Sequence, residues 1–149
     1  MYETSIPEPV SLYSRLKLRL EERIINARNR SFHPTTLRIA TCHGPSPRMR
    51  FDLVLNGMVR DAYCKKEITI DSPEKVRSLI HVKDVARAIL SCLSAHQNMI
   101  SGEIFNLGNS DQNLQLNQLA NIVKTHLPET KVTMPVSYTH LTLPTKRIV

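Results

Sequence analysis

Tyr13 and Lys17 stand four residues apart in a stretch of helical character, which places a phenol and an ammonium on one helix face near its N-terminus. A phenol holds its proton at neutral pH. A neighbouring cation favours the phenolate, so such a pair can move a proton and hydrogen-bond a ribose hydroxyl as well. The spacing alone is common, and a Tyr and a Lys on a solvated helix surface satisfy it equally. His81 and Asp84 form a second suggestive pair. Asp84, however, falls at the start of a predicted helix, where a carboxylate caps free N–H groups, and His81 follows a predicted strand, so a structural role is expected for both. The remaining histidines, His33, His43, His96, His126 and His140, lack ligand spacing to cysteine or carboxylate. Cys42, Cys64 and Cys92 lie far apart in apolar segments. Neither a metal site nor a disulfide framework is predicted.

A helix that positions Tyr13 and Lys17 needs a start signal and an apolar face. Ser11 supplies the predicted N-cap after Pro7 and Pro9, and Leu12, Leu16, Leu20 and Ile24 recur every four residues, predicting an amphipathic helix to about Asn29. Thr35 to Ala40 is short and rich in β-branched residues and reads as a buried strand, stopped by the rigid Gly44-Pro45-Ser46-Pro47 loop. Further helices are predicted over Leu53–Lys66, Val82–His96 and Leu116–Leu127, with short strands at Glu67–Ile70, Glu103–Leu107 and Lys131–Met134. This alternation implies an α/β fold whose sheet is at least partly parallel. Neither GxGxxG nor GxxxxGK[ST] occurs, so the phosphate-binding turn of a dinucleotide enzyme is absent from these residues.

The 149 residues carry 20 Lys+Arg against 13 Asp+Glu, a net +7, with 41% hydrophobic and 22% charged residues. That composition suits a globular domain and excludes disordered, collagenous and disulfide-scaffold classes. Arg15, Lys17, Arg19, Arg23, Arg28 and Arg30 concentrate in the first helix, partly offset by Glu21 and Glu22. With aromatics at 5% and unclustered, the excess reads as a solvated helix face, and no nucleic-acid partner is expected. The start has no basic segment leading into an apolar one, and no apolar run approaches a membrane span. No membrane partner is expected, and a cytoplasmic location is the default.

Four segments, in order, change the weight of the Tyr–Lys spacing. Residues 8–17 followed by Glu21 resemble a "P-x-S-x-Y-x-x-x-K-x-x-x-E" segment; residues 37–45 resemble an "LR-x-x-N-V-Y-G-P" strand and loop; residues 77–86 resemble "R-x-x-I-H-V-x-D-V-A"; and residues 102–108 are similar to "G-E-x-Y-N-V-G". These are motifs of the extended short-chain dehydrogenase/reductase family, the NAD-dependent sugar-nucleotide epimerases and dehydratases. The resemblance covers roughly residues 3–134. It implies a partial Rossmann-like domain, the C-terminal half, with a small substrate-binding subdomain. It makes Tyr13 the catalytic acid/base and Lys17 the ribose-binding residue that tunes it. Cys42 and His43 would line the nicotinamide side of the cofactor site, and Arg77 would hold the substrate diphosphate, for which its guanidinium fork is well shaped. Asn56, Arg48 and Arg50 fall in the family's substrate segment. The implied cofactor is NAD or NADP, the substrate a nucleotide sugar, and the parent a homodimer.

The sequence departs from the family in three ways. The N-terminal strand, glycine-rich turn and helix are absent, no Ser or Thr precedes the tyrosine in its usual place, and His43 replaces the usual tyrosine. Residues 1–134 are therefore expected to be the C-terminal part of such a domain, inactive and without bound cofactor by themselves. Residues 135–149 form a tail without a family counterpart; from Val136 it resembles translated sequencing-adapter read-through. The alternative is a non-catalytic relative that binds a nucleotide, a partner or a polyanion through the basic helix.

Overall fold

The computed structural model describes residues 3–134, so the expected non-family tail lies outside the described residues. In chain order the elements are α1 (Leu12–Asn26), β1 (Thr36–Ile39), β2 (Thr41–His43), α2 (Val54–Lys65), β3 (Glu67–Thr69), β4 (Val76–His81), α3 (Val82–Ser94), α4 (Gln97–Ile100), β5 (Ile104–Leu107), β6 (Asn113–Gln115), α5 (Leu116–His126) and β7 (Lys131–Thr133), with a 3-10 turn at Ser110–Gln112.

Ser11 caps α1 as expected. Its hydroxyl accepts the Ser14 amide at 3.1 Å while Ser14 Oγ accepts the Ser11 amide at 3.0 Å, a reciprocal arrangement that satisfies two otherwise free donors. The helix stops three residues before the expected Asn29 because Asn29 Oδ1 accepts the amides of Ser31 and Phe32, a local turn that competes with the helical ladder.

The predicted strand over Thr35–Ala40 is in fact the first of two strands that take different partners. β1 pairs in parallel with β5, Thr36 opposite Ile104 through Ile39 opposite Leu107. At Ala40, whose N–H still donates to the Leu107 carbonyl at 2.8 Å, the chain leaves that partner; β2 then pairs in parallel with β4, His43 opposite His81. β4 also pairs antiparallel with β6, and β3 pairs in parallel with β7. The fold is thus the expected mixed α/β class. β6 and α4 have no predicted counterpart, since a three-residue polar strand exists only through its ladder to Val76–Ser78.

The buried core lies between α2, β3, β4 and α5: Met58, Ala62, Ile68, Ile70, Leu79, Leu119, Ala120 and Val123. α1 contributes nothing to it. Leu12, Leu16, Leu20 and Ile24 remain 65, 56, 49 and 36% exposed, so the predicted apolar stripe exists but is bare. Of its apolar residues only Leu18 and Ile25 are half-buried, and a polar tether adds to them: Arg38 of β1 donates from Nε and Nη2 to the Glu21 carboxylate at 2.9 and 2.6 Å. No helix among the described residues is long and apolar enough to cross a membrane.

Candidate functional site

Tyr13 falls in the first turn of the capped α1, and Lys17 one turn later projects its Nζ to 5.7 Å from the centre of the Tyr13 ring. The two groups share a face, as the spacing requires. Tyr13 is 71% exposed, with its hydroxyl accessible to a ligand. Lys17 borders a groove of about 320 Å³ between the Pro7-Glu8-Pro9 approach and Arg38.

The loop between β2 and α2 carries both substrate-segment arginines. Arg50 forks onto Asp52, Nη2 to Oδ2 at 2.5 Å and Nε to Oδ1 at 3.2 Å. The pair strengthens Arg50's hold on its proton and keeps the Asp52 carboxyl below its usual range. Asn56, nine-tenths buried on α2, donates its Nδ2 to the Arg50 carbonyl at 3.1 Å and so fixes the loop. Arg48 is exposed, its backbone held to Ser46 Oγ at 3.2 Å.

Cys42 and His43 lie half-buried on β2. The His43 ring meets His81 edge to face at 5.3 Å, and burial, then the nearby His81, lowers its proton affinity while Asp84 raises it. Gly44 makes this approach possible: its φ is +117°, and a Cβ there would stand 2.7 Å from His81 Nε2. His81 is also the helix cap expected of Asp84: its Nδ1 accepts the Lys83 amide at 3.2 Å, while Asp84, inside the first turn, pairs with Arg87 at 2.8 Å. Cys64, read from the sequence as part of an apolar segment, is exposed near the end of α2.

Two cavities flank the α2 side of this surface. One, of about 400 Å³, is bordered by Arg77, Lys75, Phe51, Arg60 and Ile70. Arg77 donates to the Val76 carbonyl at 3.2 Å, and its other guanidinium N–H groups have no partner among the described residues, which suits an anion. The other, of about 500 Å³, contains His43 and Asn56 and shares Phe51 and Arg60 with the first. The structure therefore gathers His43, Asn56 and Arg77 around Phe51, while the Lys17 groove shares no lining residue with either cavity. Phe51, Asp52 and Arg60 are not singled out by sequence; adjacency to the Arg48 to Arg50 segment hints at Phe51 and Asp52, and nothing local hints at Arg60. No group of three or more His, Cys, Asp or Glu among the described residues could hold a metal ion.

A profile of the NAD dependent epimerase/dehydratase family matches residues 2–108. Solved structures with the same fold include the NAD dependent NDP-hexosamine 5,6-dehydratase TunA of tunicamycin biosynthesis, 21% identical at a TM-score of 0.76 over 91% of this chain and 44% of that one. The dTDP-glucose 4,6-dehydratase of Bacillus anthracis in complex with NAD is 21% identical at 0.77, over 91% and 43%. MoeE5 in complex with UDP-glucuronic acid and NAD is 23% identical at 0.77, over 90% and 46%. The chain spans less than half the length of these proteins.

Proposed function

Since the chain belongs to the NAD dependent epimerase/dehydratase family, we propose that it forms the catalytic-helix and substrate-binding part of an NAD(P)-dependent nucleotide-sugar epimerase, dehydratase or reductase with Tyr13 as acid/base. The observation that carries this reading is the Tyr13–Lys17 face of a capped helix, with Tyr13 open to a ligand. The residues present fit the nicotinamide-ribose end of the cofactor. Lys17 offers ammonium donors, Tyr13 a hydroxyl that donates and accepts, and both belong to a helix without a buried side chain. They do not fit its pyrophosphate, because the four glycines, Gly44, Gly57, Gly102 and Gly108, stand singly and form no glycine-rich turn before a helix.

When bound, the nicotinamide supplies a hydride acceptor and donor. The Lys17 ammonium favours the Tyr13 phenolate, whose Oη takes the proton of the sugar hydroxyl as that carbon is oxidised and so becomes a neutral phenol. Arg77 holds the diphosphate with Arg48 and Arg50 at the entrance, and Cys42 and His43 flank the nicotinamide side. Without the pyrophosphate turn the chain by itself is expected to show neither turnover nor useful NAD affinity. In an enzyme joining these residues to a nucleotide-binding half, Tyr13→Phe should lower kcat by about 10²-fold while the protein stays folded. Near-normal turnover by that variant would overturn the assignment. An assembled homodimer would also give the bare α1 stripe a partner.

A further inference from the structure

The cavity beside His43 has walls that no bare hexose would choose. Met49, Phe51, Leu55, Val59 and Tyr63 line it, hardly any polar atom faces its roughly 500 Å³, and Leu55, Val59 and Tyr63 stack at i, i+4 and i+8 along α2, from Leu55 at the edge of the core to Val59 and Tyr63 beyond it. Val59 and Tyr63 are 45 and 69% exposed, so this apolar stripe is wet in the isolated chain. Its few polar groups are mostly engaged. Arg60 pairs with Asp61 at 2.8 Å and lies 5.5 Å from the centre of the Phe51 ring, and Asn56 spends its N–H on the Arg50 carbonyl. The Asn56 carbonyl oxygen has no partner among the described residues. A sugar hydroxyl moved into this pocket would give up water without replacement, whereas an apolar group would gain by leaving water. An amide N–H entering beside Asn56 would find an acceptor, with apolar walls beyond it.

Because the cavity shares Phe51 and Arg60 with the Arg77 cavity, a diphosphate held by Arg77 leaves its sugar within reach of this pocket. Resting on the reading that the chain binds nucleotide sugars, we infer that this pocket takes an N-acyl substituent of the sugar, which makes the substrate class N-acylated nucleotide sugars rather than plain hexose conjugates.

The test needs binding only, not turnover. Calorimetric titration of the protein with UDP, dTDP and GDP identifies the nucleoside diphosphate held best, and its glucose and N-acetylglucosamine conjugates are then compared. The N-acetyl conjugate should bind about tenfold more tightly or better. Val59→Asp, at an exposed position, should erase that preference while leaving the glucose conjugate within about twofold; Arg77→Ala should weaken both conjugates together. Equal affinities for the two conjugates, or a preference that survives Val59→Asp, would overturn the pocket assignment and leave the nucleotide-sugar reading intact. Binding of none of the three diphosphates would overturn the reading beneath it. A dimer that Val59→Asp converts to monomer in sedimentation would show that a second copy covers the stripe, and the assignment would fall.

Discussion

Replacing Arg38 with Leu should free α1 from the rest of the protein without unfolding the lobe built on α2 and α5. The magnitude follows from the setting of the pair. Arg38 makes two charge-assisted hydrogen bonds to Glu21, at 2.9 and 2.6 Å, with side chains 23 and 12% exposed. An exposed pair contributes about 0–1 kcal/mol, and breaking a fully buried one costs about 3–5 kcal/mol. This pair lies between, so about 2 kcal/mol is expected, consistent with the usual worth of hydrogen bonds to charged groups. Little on α1 offsets the loss, since the helix has no fully buried side chain and, of its apolar residues, only Leu18 and Ile25 are half-buried. Native-state hydrogen exchange reads the effect amide by amide. In Arg38→Leu the α1 amides should exchange about 30-fold faster, the equivalent of 2 kcal/mol, while the α5 amides stay within about 0.5 kcal/mol of their original protection. If the α1 and α5 amides lose protection equally, the chain is one cooperative unit and the view of α1 as a polar-tethered helix is wrong. Unchanged α1 exchange would mean that the ion pair is not what holds it.

Ile68→Ala removes a side chain only 2% exposed at the centre of the α2/α5 lobe and should cost about 2–5 kcal/mol, read as a fall in the urea midpoint at constant slope. Gly44→Ala should destabilise by more than 1 kcal/mol, roughly the scale of a strained backbone position, because its φ of +117° disfavours a side chain and the new Cβ meets His81; thermal melts measure it. His43 supplies a pH dependence of definite sign. Burial and His81 place its folded pKa below the unfolded value near 6.5, so the unfolded chain binds the proton more readily. The stabilisation from its neutral form is complete above pH ~6.5 and is lost as pH falls through the folded value. Denaturation midpoints should therefore drop on acidification more steeply for the native chain than for His43→Phe; parallel curves would contradict the assignment.

Much of the α/β architecture was legible because its causes are local. Ser11 can cap only a helix that starts at Leu12, and four apolar residues at spacing four make an amphipathic helix wherever they occur. The Tyr13–Lys17 face follows from that helix geometry alone. Other features depend on residues far apart in the chain, and the sequence held no local trace of them. β1 and β2 part at Ala40 because Ile39 pairs with Leu107 while Thr41, two residues on, pairs with Leu79 of a different strand. His81, not Asp84, caps α3 because β4 runs directly into the helix and leaves the imidazole over the first free amide. The Arg38–Glu21 tether and the Phe51–Arg60 wall shared by two cavities are likewise products of packing. Periodicity specifies which face of a helix is apolar, but only the tertiary arrangement decides whether that face is covered. The α5 stripe is buried and the α1 stripe is not, although both carry regularly spaced leucines, because burial depends on which elements lie opposite and not on the helix's own sequence.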